Sequence, residues 1–368
     1  MKLLFLIFLV FFSSCSEETE EGLESIDRLI EDEKYDIAKD RLKEKLSSRR
    51  KQDEVISRKR PVEPRFLELS NDRNRIVWTE EKTIIFRDLA NPLVKTVVFS
   101  QVPSNLSISS DAEHAVVSFP LPSGAGCRLV AVSLVEAKES YMSNSYVSCS
   151  HHGAINYDGN MIYYFIDDSL YSEKTSEPKT AKLILDKKNF PPPAESIKNR
   201  YRIFPIGKTF VIFSGNGGSY KLYWLDPKKN TIELLSEEIA TPKIYYGTGK
   251  NGYLIVGKIG DLYIQEMKFS AFGKPLLSRK ISIGPEETIS WPISVPDEFI
   301  STDKGTLFLW TVGKKRKRYP ILASRFWVAA RDQIIYEDKL NDLVLVNLDF
   351  SETDWRTLEL YKNLTETD

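Results

Sequence analysis

Apolar residues follow two different rhythms along this chain. Near the start they recur every three or four positions, as Leu23, Ile26 and Ile30 and then as Tyr35, Ala38, Leu42 and Leu46. That spacing predicts helix. The step of five from Ile30 to Tyr35 rotates the stripe by about 140° at helical pitch. One straight helix could not use both sets on one face, so two short helices with a turn near Asp32–Lys34 are expected.

From Arg65 onward the texture changes to runs of four to seven residues rich in Val, Ile, Tyr, Phe and Trp, separated by Gly, Asn, Asp and Pro. This is the pattern of an all-β domain. The runs recur in one order: a strand, a polar turn, a strongly apolar strand, a short turn, another apolar strand and a weaker last strand. The second strand of each unit contains Ile76, Val116, Ile162, Val211, Leu254, Phe299 or Ile334, with steps of 40, 46, 49, 43, 45 and 35. The third strands follow at 83–86, 128–132, 170–172, 221–224, 262–264, 306–309 and 343–346. Seven units over 65–361 average about 42 residues, the length of a four-stranded propeller blade. Each such sheet has two apolar faces that only neighbouring sheets can cover. The expected fold is therefore all-β, a seven-bladed β-propeller with a short N-terminal helical segment. Two packed flat sheets, or a mixed fold, are the alternative.

Three turns carry a family resemblance: Ser70-Asn71-Asp72-Arg73-Asn74-Arg75-Ile76, Ser110-Asp111-Ala112-Glu113-His114-Ala115-Val116 and Tyr157-Asp158-Gly159-Asn160-Met161-Ile162. They resemble the Ser-x-Asp-Gly turn of TolB-like or WD40-like propeller repeats. In such turns Asp accepts nearby backbone N–H groups, and Gly or Asn supplies a positive φ. The run Tyr35-x-x-Ala38-x-x-x-Leu42-x-x-x-Leu46 resembles the second half of one tetratricopeptide repeat.

The extreme N-terminus has its own pattern. Met1-Lys2 precedes ten uninterrupted apolar residues, Leu3–Phe12, too few to span a bilayer, which takes about 20, and right for a signal-peptide core. Phe12-Ser13-Ser14-Cys15 then resembles a bacterial lipobox with Phe in the usual aliphatic place. The resemblance implies lipidation of Cys15, and Ser16 after it favours the outer membrane. The expected organisation is a lipoprotein signal peptide over 1–14, a TPR-like helical spacer over 15–50, a basic linker over 51–64 ended by Pro61 and Pro64, the propeller over 65–361, and a tail over 362–368.

Composition narrows the function classes. Fifty-one Lys+Arg balance 52 Asp+Glu, which argues against nucleic acid as a partner. Three His and three Cys leave little for a metal centre, and neither metal nor cofactor is predicted. With Cys15 lipidated, Cys127 and Cys149 remain. A hairpin turning at Ala137-Lys138 would bring them close, so a disulfide is expected, two buried thiols being the alternative. His151-His152 and His114 lack the spacing of a ligand set. Lys314, Lys315, Arg316, Lys317 and Arg318 form a basic hairpin tip that could contact an anionic partner. The insertion 189–194 is either a docking element or a stiff connector. No nucleophile motif and no recurrent catalytic carboxylate is evident. The expectation is a membrane-anchored, non-catalytic platform for an envelope protein or ligand, of undetermined oligomeric state. A propeller lactonase, hydrolase or lyase with its site in the central funnel is the alternative, and a purely architectural role is a third.

Overall fold

The computed structural model describes residues 25–50, 54–57 and 66–347, less 92, 125, 148, 150–152, 178–179, 187, 189–200, 217–218, 227–228, 230, 247–250, 259–260, 271–272, 283–287, 293–297, 304–305, 312–316, 324, 330–332 and 339–341. By internal packing the chain divides into two compact units. One is Met1–Arg58 with Pro320–Phe326 and Arg331–Asp368; the other is Lys59–Tyr319 with Trp327–Ala330.

In the first unit, helix α1, described over 25–31, and helix α2, Tyr35–Arg50, meet at the turn expected from the phase break. Ile26, Ala38 and Leu42 are buried together, with Leu29 and Ile30 against them. Helix α1 stops because Glu33 adopts a left-handed conformation (φ 59). Lys34 N–H then donates to Leu29 C=O and Glu33 N–H to Ile30 C=O, the paired bonds that satisfy the last carbonyls of a helix. The expected linker is not wholly irregular. Glu54–Ser57 within it is strand β1, where Val55 and Ile56 supply the β-branched character that the surrounding charges concealed.

Strands dominate the rest. One sheet joins β2 (Leu67–Leu69), β3 (Arg75–Glu80), β4 (Thr83–Asp88) and β5 (Val94–Val98); the next joins β6 (Asn105–Ile108), β7 (His114–Pro120), β8 (Cys127–Ser133) and β9 (Lys138–Val147). A third holds β10 (Ala154–Ile155), β11 (Met161–Ile166), β12 (Ser169–Lys174) and β13 (Lys182–Leu185). An eight-stranded sheet follows: β14 (Tyr201–Ile206), β15 (Thr209–Asn216), β16 (Ser219–Asp226) and β17 (Thr231–Ile239), then β18 (Tyr245–Tyr246), β19 (Asn251–Lys258), β20 (Asp261–Lys268) and β21 (Leu276–Ser282). Its two halves are joined through Ile239 opposite Val256. After it come β22 (Thr288–Pro292), β23 (Glu298–Asp303), β24 (Thr306–Thr311) and β25 (Lys317–Leu322). The last sheet has the order β1, β28 (Leu343–Asn347), β27 (Gln333–Glu337), β26 (Arg325–Val328), so an N-terminal strand completes a C-terminal sheet. Every second and third strand expected from the sequence is a strand.

The propeller arrangement is written in the alternation of side chains. On β7, Ala115, Val117 and Phe119 join a core with Val77, Ile84 and Phe86 of the preceding sheet, whereas Val116 joins a core with Ile162 and Tyr164 of the following one. On β11, Ile162 and Tyr164 point back to that core, and Tyr163 and Phe165 point forward to Tyr201, Phe210 and Ile212. On β15, Phe210 and Ile212 face one way and Val211 and Phe213 the other, toward Leu254 and Val256. Period-two alternation thus sends each strand's residues into two different cores. From β2 to β21 successive groups of strands are packed face to face in chain order, as in a propeller. A flat two-layer sandwich would bury only one face of each sheet.

Candidate functional site

The three turns singled out in the sequence share one geometry. In the first, Arg75 N–H and Asn74 N–H donate to Ser70 Oγ and Asp72 Oδ1, and Ser70 N–H donates to Arg75 C=O. In the second, His114 N–H donates to Ser109 Oγ and Glu113 N–H to Asp111 Oδ1. Ser109, rather than Ser110, therefore occupies the leading position. In the third, Asn156 takes that place and accepts from Met161 N–H. The glycine position of the repeat is held by Arg73, Ala112 and Gly159, all with φ between 56 and 68. Burial alone would raise the Asp72 carboxyl; the hydrogen bonds from Ser70 and Asn74 outweigh it and hold it below its ordinary value. Asp72 and Asp111 are thus turn-formers, committed to backbone N–H groups. His114 packs on Gly159, where an added Cβ would lie 2.3 Å from its Nδ1.

These turns tie separate sheets together. Asn71 N–H donates to Ser110 C=O, and Ser110 Oγ donates to Gly207 C=O. Asn71 Nδ2 and the Tyr246 hydroxyl both donate to Pro205 C=O, each at 3.4 Å. Lys208 reaches the Tyr157 ring and Asp158. Asp111 above all, and then desolvation and Glu113, push the Tyr157 phenol up.

Above this tied floor lies a cavity of about 210 Å³. First strands from distant parts of the chain wall it: Leu67–Leu69 from β2, Leu106–Ile108 from β6, Arg202–Pro205 from β14, Ile244 and Tyr246 at β18, and Trp327 from β26. Most of the lining is apolar, and one carboxyl and two basic side chains join it: Glu68, Arg202 and Lys243. Glu68 is exposed over part of its surface, and the protein around its carboxyl strips away part of its hydration. That desolvation pushes its carboxyl up to about 7, against the opposing pull of Lys243 and then Arg202. Burial, and then the charge of Glu68, push the Tyr246 phenol far up, leaving it a neutral donor.

The raised carboxyl has a consequence for stability. The native state holds the Glu68 proton more tightly than an unfolded chain, whose carboxyl titrates near 4.5. Stability is thus lost as pH rises from there through 7, because ionising Glu68 in the cavity is unfavourable. Glu68→Gln, which keeps shape and removes the charge, is expected to raise the thermal midpoint at pH 8 and leave it unchanged at pH 4. Equal shifts at both pH values would contradict this.

Cys127 and Cys149 form a disulfide with Cα atoms 4.9 Å apart. The hairpin turns two residues earlier than expected, after Ser133 opposite Lys138, and bulges along β8–β9 shift the register until Cys127 faces Val147. Lys317 and Arg318 open β25; Lys314, Lys315 and Arg316, like Cys15, His151-His152 and the 189–194 insertion, lie outside the described residues. Among the described residues no group of three or more His, Cys, Asp or Glu could hold a metal ion. No described helix is long and apolar enough to cross a membrane. The sequence reading passed over Glu68, Arg202, Lys243, Tyr246 and Trp327. Glu68 and Tyr246 sit on first strands of three and two residues, too short to show alternation.

No protein-family model and no curated protein matches this chain. Solved structures that resemble it include propellers. The β-propeller domain of Cps50 (Swd1) from Myceliophteria thermophila is 9% identical with a TM-score of 0.49, covering 80% of this chain and 98% of its own. The propeller domain of the Trilobed protease from Pyrococcus furiosus is 13% identical with a TM-score of 0.42, covering 78% and 93%. TolB from Acinetobacter baumannii is 14% identical with a TM-score of 0.40, covering 60% and 56%.

Proposed function

We propose that this protein is an exported lipoprotein whose seven-bladed propeller is a non-catalytic binding platform in the cell envelope, anchored through a lipid on Cys15. The blade count follows if the eight-stranded sheet is divided at the Ile239–Val256 pairing, giving seven sheets of four strands. The observation that carries the binding reading is the cavity, where side chains from five sheets converge on one space. Loops and strand ends over a rigid scaffold are where propellers place recognition. The run Leu3–Phe12 before Ser13-Ser14-Cys15 supports export and lipidation. A Cys127–Cys149 disulfide fits an oxidising compartment.

Two measurements test it. Radiolabelled palmitate should enter the wild-type protein and not Cys15→Ala, and the variant should move from the membrane to the soluble fraction; an unlabelled wild type would end the anchoring proposal. Crosslinking in intact cells followed by pull-down should recover one defined partner, and recovery of bulk membrane proteins alone would count against a platform. An enzyme with a funnel site would depend on Glu68, whose carboxyl lies close to neutrality. Partner capture that survives Glu68→Gln supports the platform, and a turnover abolished by the same change supports the enzyme.

A further inference from the structure

We infer that the cavity walled by β2, β6, β14, β18 and Trp327 takes a small organic anion with an apolar body, its acid group held by Arg202 and Lys243. This rests on the reading of that cavity as a binding site and names the chemistry of its guest. The argument begins with the walls. Leu67, Leu69, Ile203, Ile244 and Trp327 line it and offer a guest close dispersion contacts. About 210 Å³ holds a ring or a short branched chain and excludes a folded domain.

Charge then selects the sign. Two basic side chains and one carboxyl line the cavity. Lys243 also lies 5.1 Å from the Tyr245 ring, which positions its ammonium. Arg202 on β14 presents a planar fork suited to a carboxylate or phosphate. An anion entering here meets two cations, whereas a cation meets the same two as like charges.

Glu68 makes the binding pH-dependent. The groups that face it are Lys243 beside β18, Arg202 on β14 and the neutral Tyr246 phenol; β6 contributes Ser107 and β26 contributes Trp327, neither of which titrates. Protonating Glu68 removes the one carboxylate charge among the cavity's lining. With Glu68 ionised it repels the guest. Anion uptake is therefore coupled to proton uptake, with the carboxyl of the empty cavity near 7. A guest that requires neutral Glu68 binds about tenfold tighter at pH 6 than at pH 8.

The test uses the full chain and three probes of equal size: benzoate, benzamide and benzylamine, titrated by calorimetry at pH 6 and pH 8, with phenyl phosphate as a second acid headgroup. Benzoate is expected to bind saturably and more tightly at the lower pH, with benzamide and benzylamine weaker. Glu68→Gln should remove the pH dependence while retaining binding, and Arg202→Gln with Lys243→Gln should abolish it. Arg202→Lys, which keeps the charge, guards against a folding artefact and should retain part of the affinity. Benzylamine binding as tightly as benzoate, no saturable benzoate binding at either pH, or benzoate binding untouched by the double variant overturns the inference. If the double variant loses its crosslinked partner while wild type ignores all four probes, the platform stands and the anionic guest falls. If the probes bind as expected and no partner is captured, the guest stands and the protein-binding reading falls.

Discussion

Replacing Phe165 by alanine is expected to lower the stability of the protein by about 4 kcal/mol, the range for emptying a large aromatic from a sealed core. Phe165 is fully buried, and its ring stacks on that of Tyr201 at 4.4 Å. The two rings come from consecutive sheets, with the Tyr163–Phe210 pair beside them at 4.5 Å. The loss thus includes the transfer term, the residual void and an inter-sheet aromatic contact. Urea unfolding followed by tryptophan fluorescence measures it. Leu93→Ala, at a side chain 71% exposed, should change the midpoint little. Similar small effects from both would mean that the third and fourth groups of strands are not packed face to face.

The second large effect concerns the disulfide. Closing a loop of 22 residues stabilises by about 3 kcal/mol in the chain-entropy account. Cys127→Ala with Cys149→Ala should lose that amount, and reduction of the wild type should lose the same. Cys127 is fully buried between β8 and the third sheet, so alanine is the replacement that leaves no polar group stranded there. The two losses should not add when the variant is treated with reductant. Unfolding midpoints that ignore both the mutation and the reductant would show that the bond is not formed in the mature protein.

How much of this was legible beforehand depends on strand length and local chemistry. The second and third strands, such as β11 and β12 with Met161–Ile166 and Ser169–Lys174, are long and apolar enough to announce themselves. The paired cysteines were found by counting outward from a misplaced turn; two register shifts along β8–β9 offset the error, because bulges carry no strong sequence mark. The leading residue of the second turn was misread as Ser110, since Ser109 and Ser110 are chemically alike and only the backbone pairing of Ser109 with His114 separates them. Glu68, Arg202 and Lys243 were invisible for a different reason. They are far apart in sequence, and only the tertiary packing brings them to one cavity. Strand β1 was hidden by its neighbours, two β-branched residues among Lys, Arg and Glu.

That strand also sets an order of events. Glu54 pairs with Leu345 and Val55 with Val344, so partners 291 and 289 positions apart must find each other before the last sheet is whole. A chain synthesised from its N-terminus delivers Val55 long before Leu345. Until the C-terminal strands emerge, the Glu54–Ser57 edge has no mate, and any helper that shields nascent edges has its task at that segment. A stop codon anywhere before 343 would remove the mate altogether and leave Glu54–Ser57 with no strand to pair with.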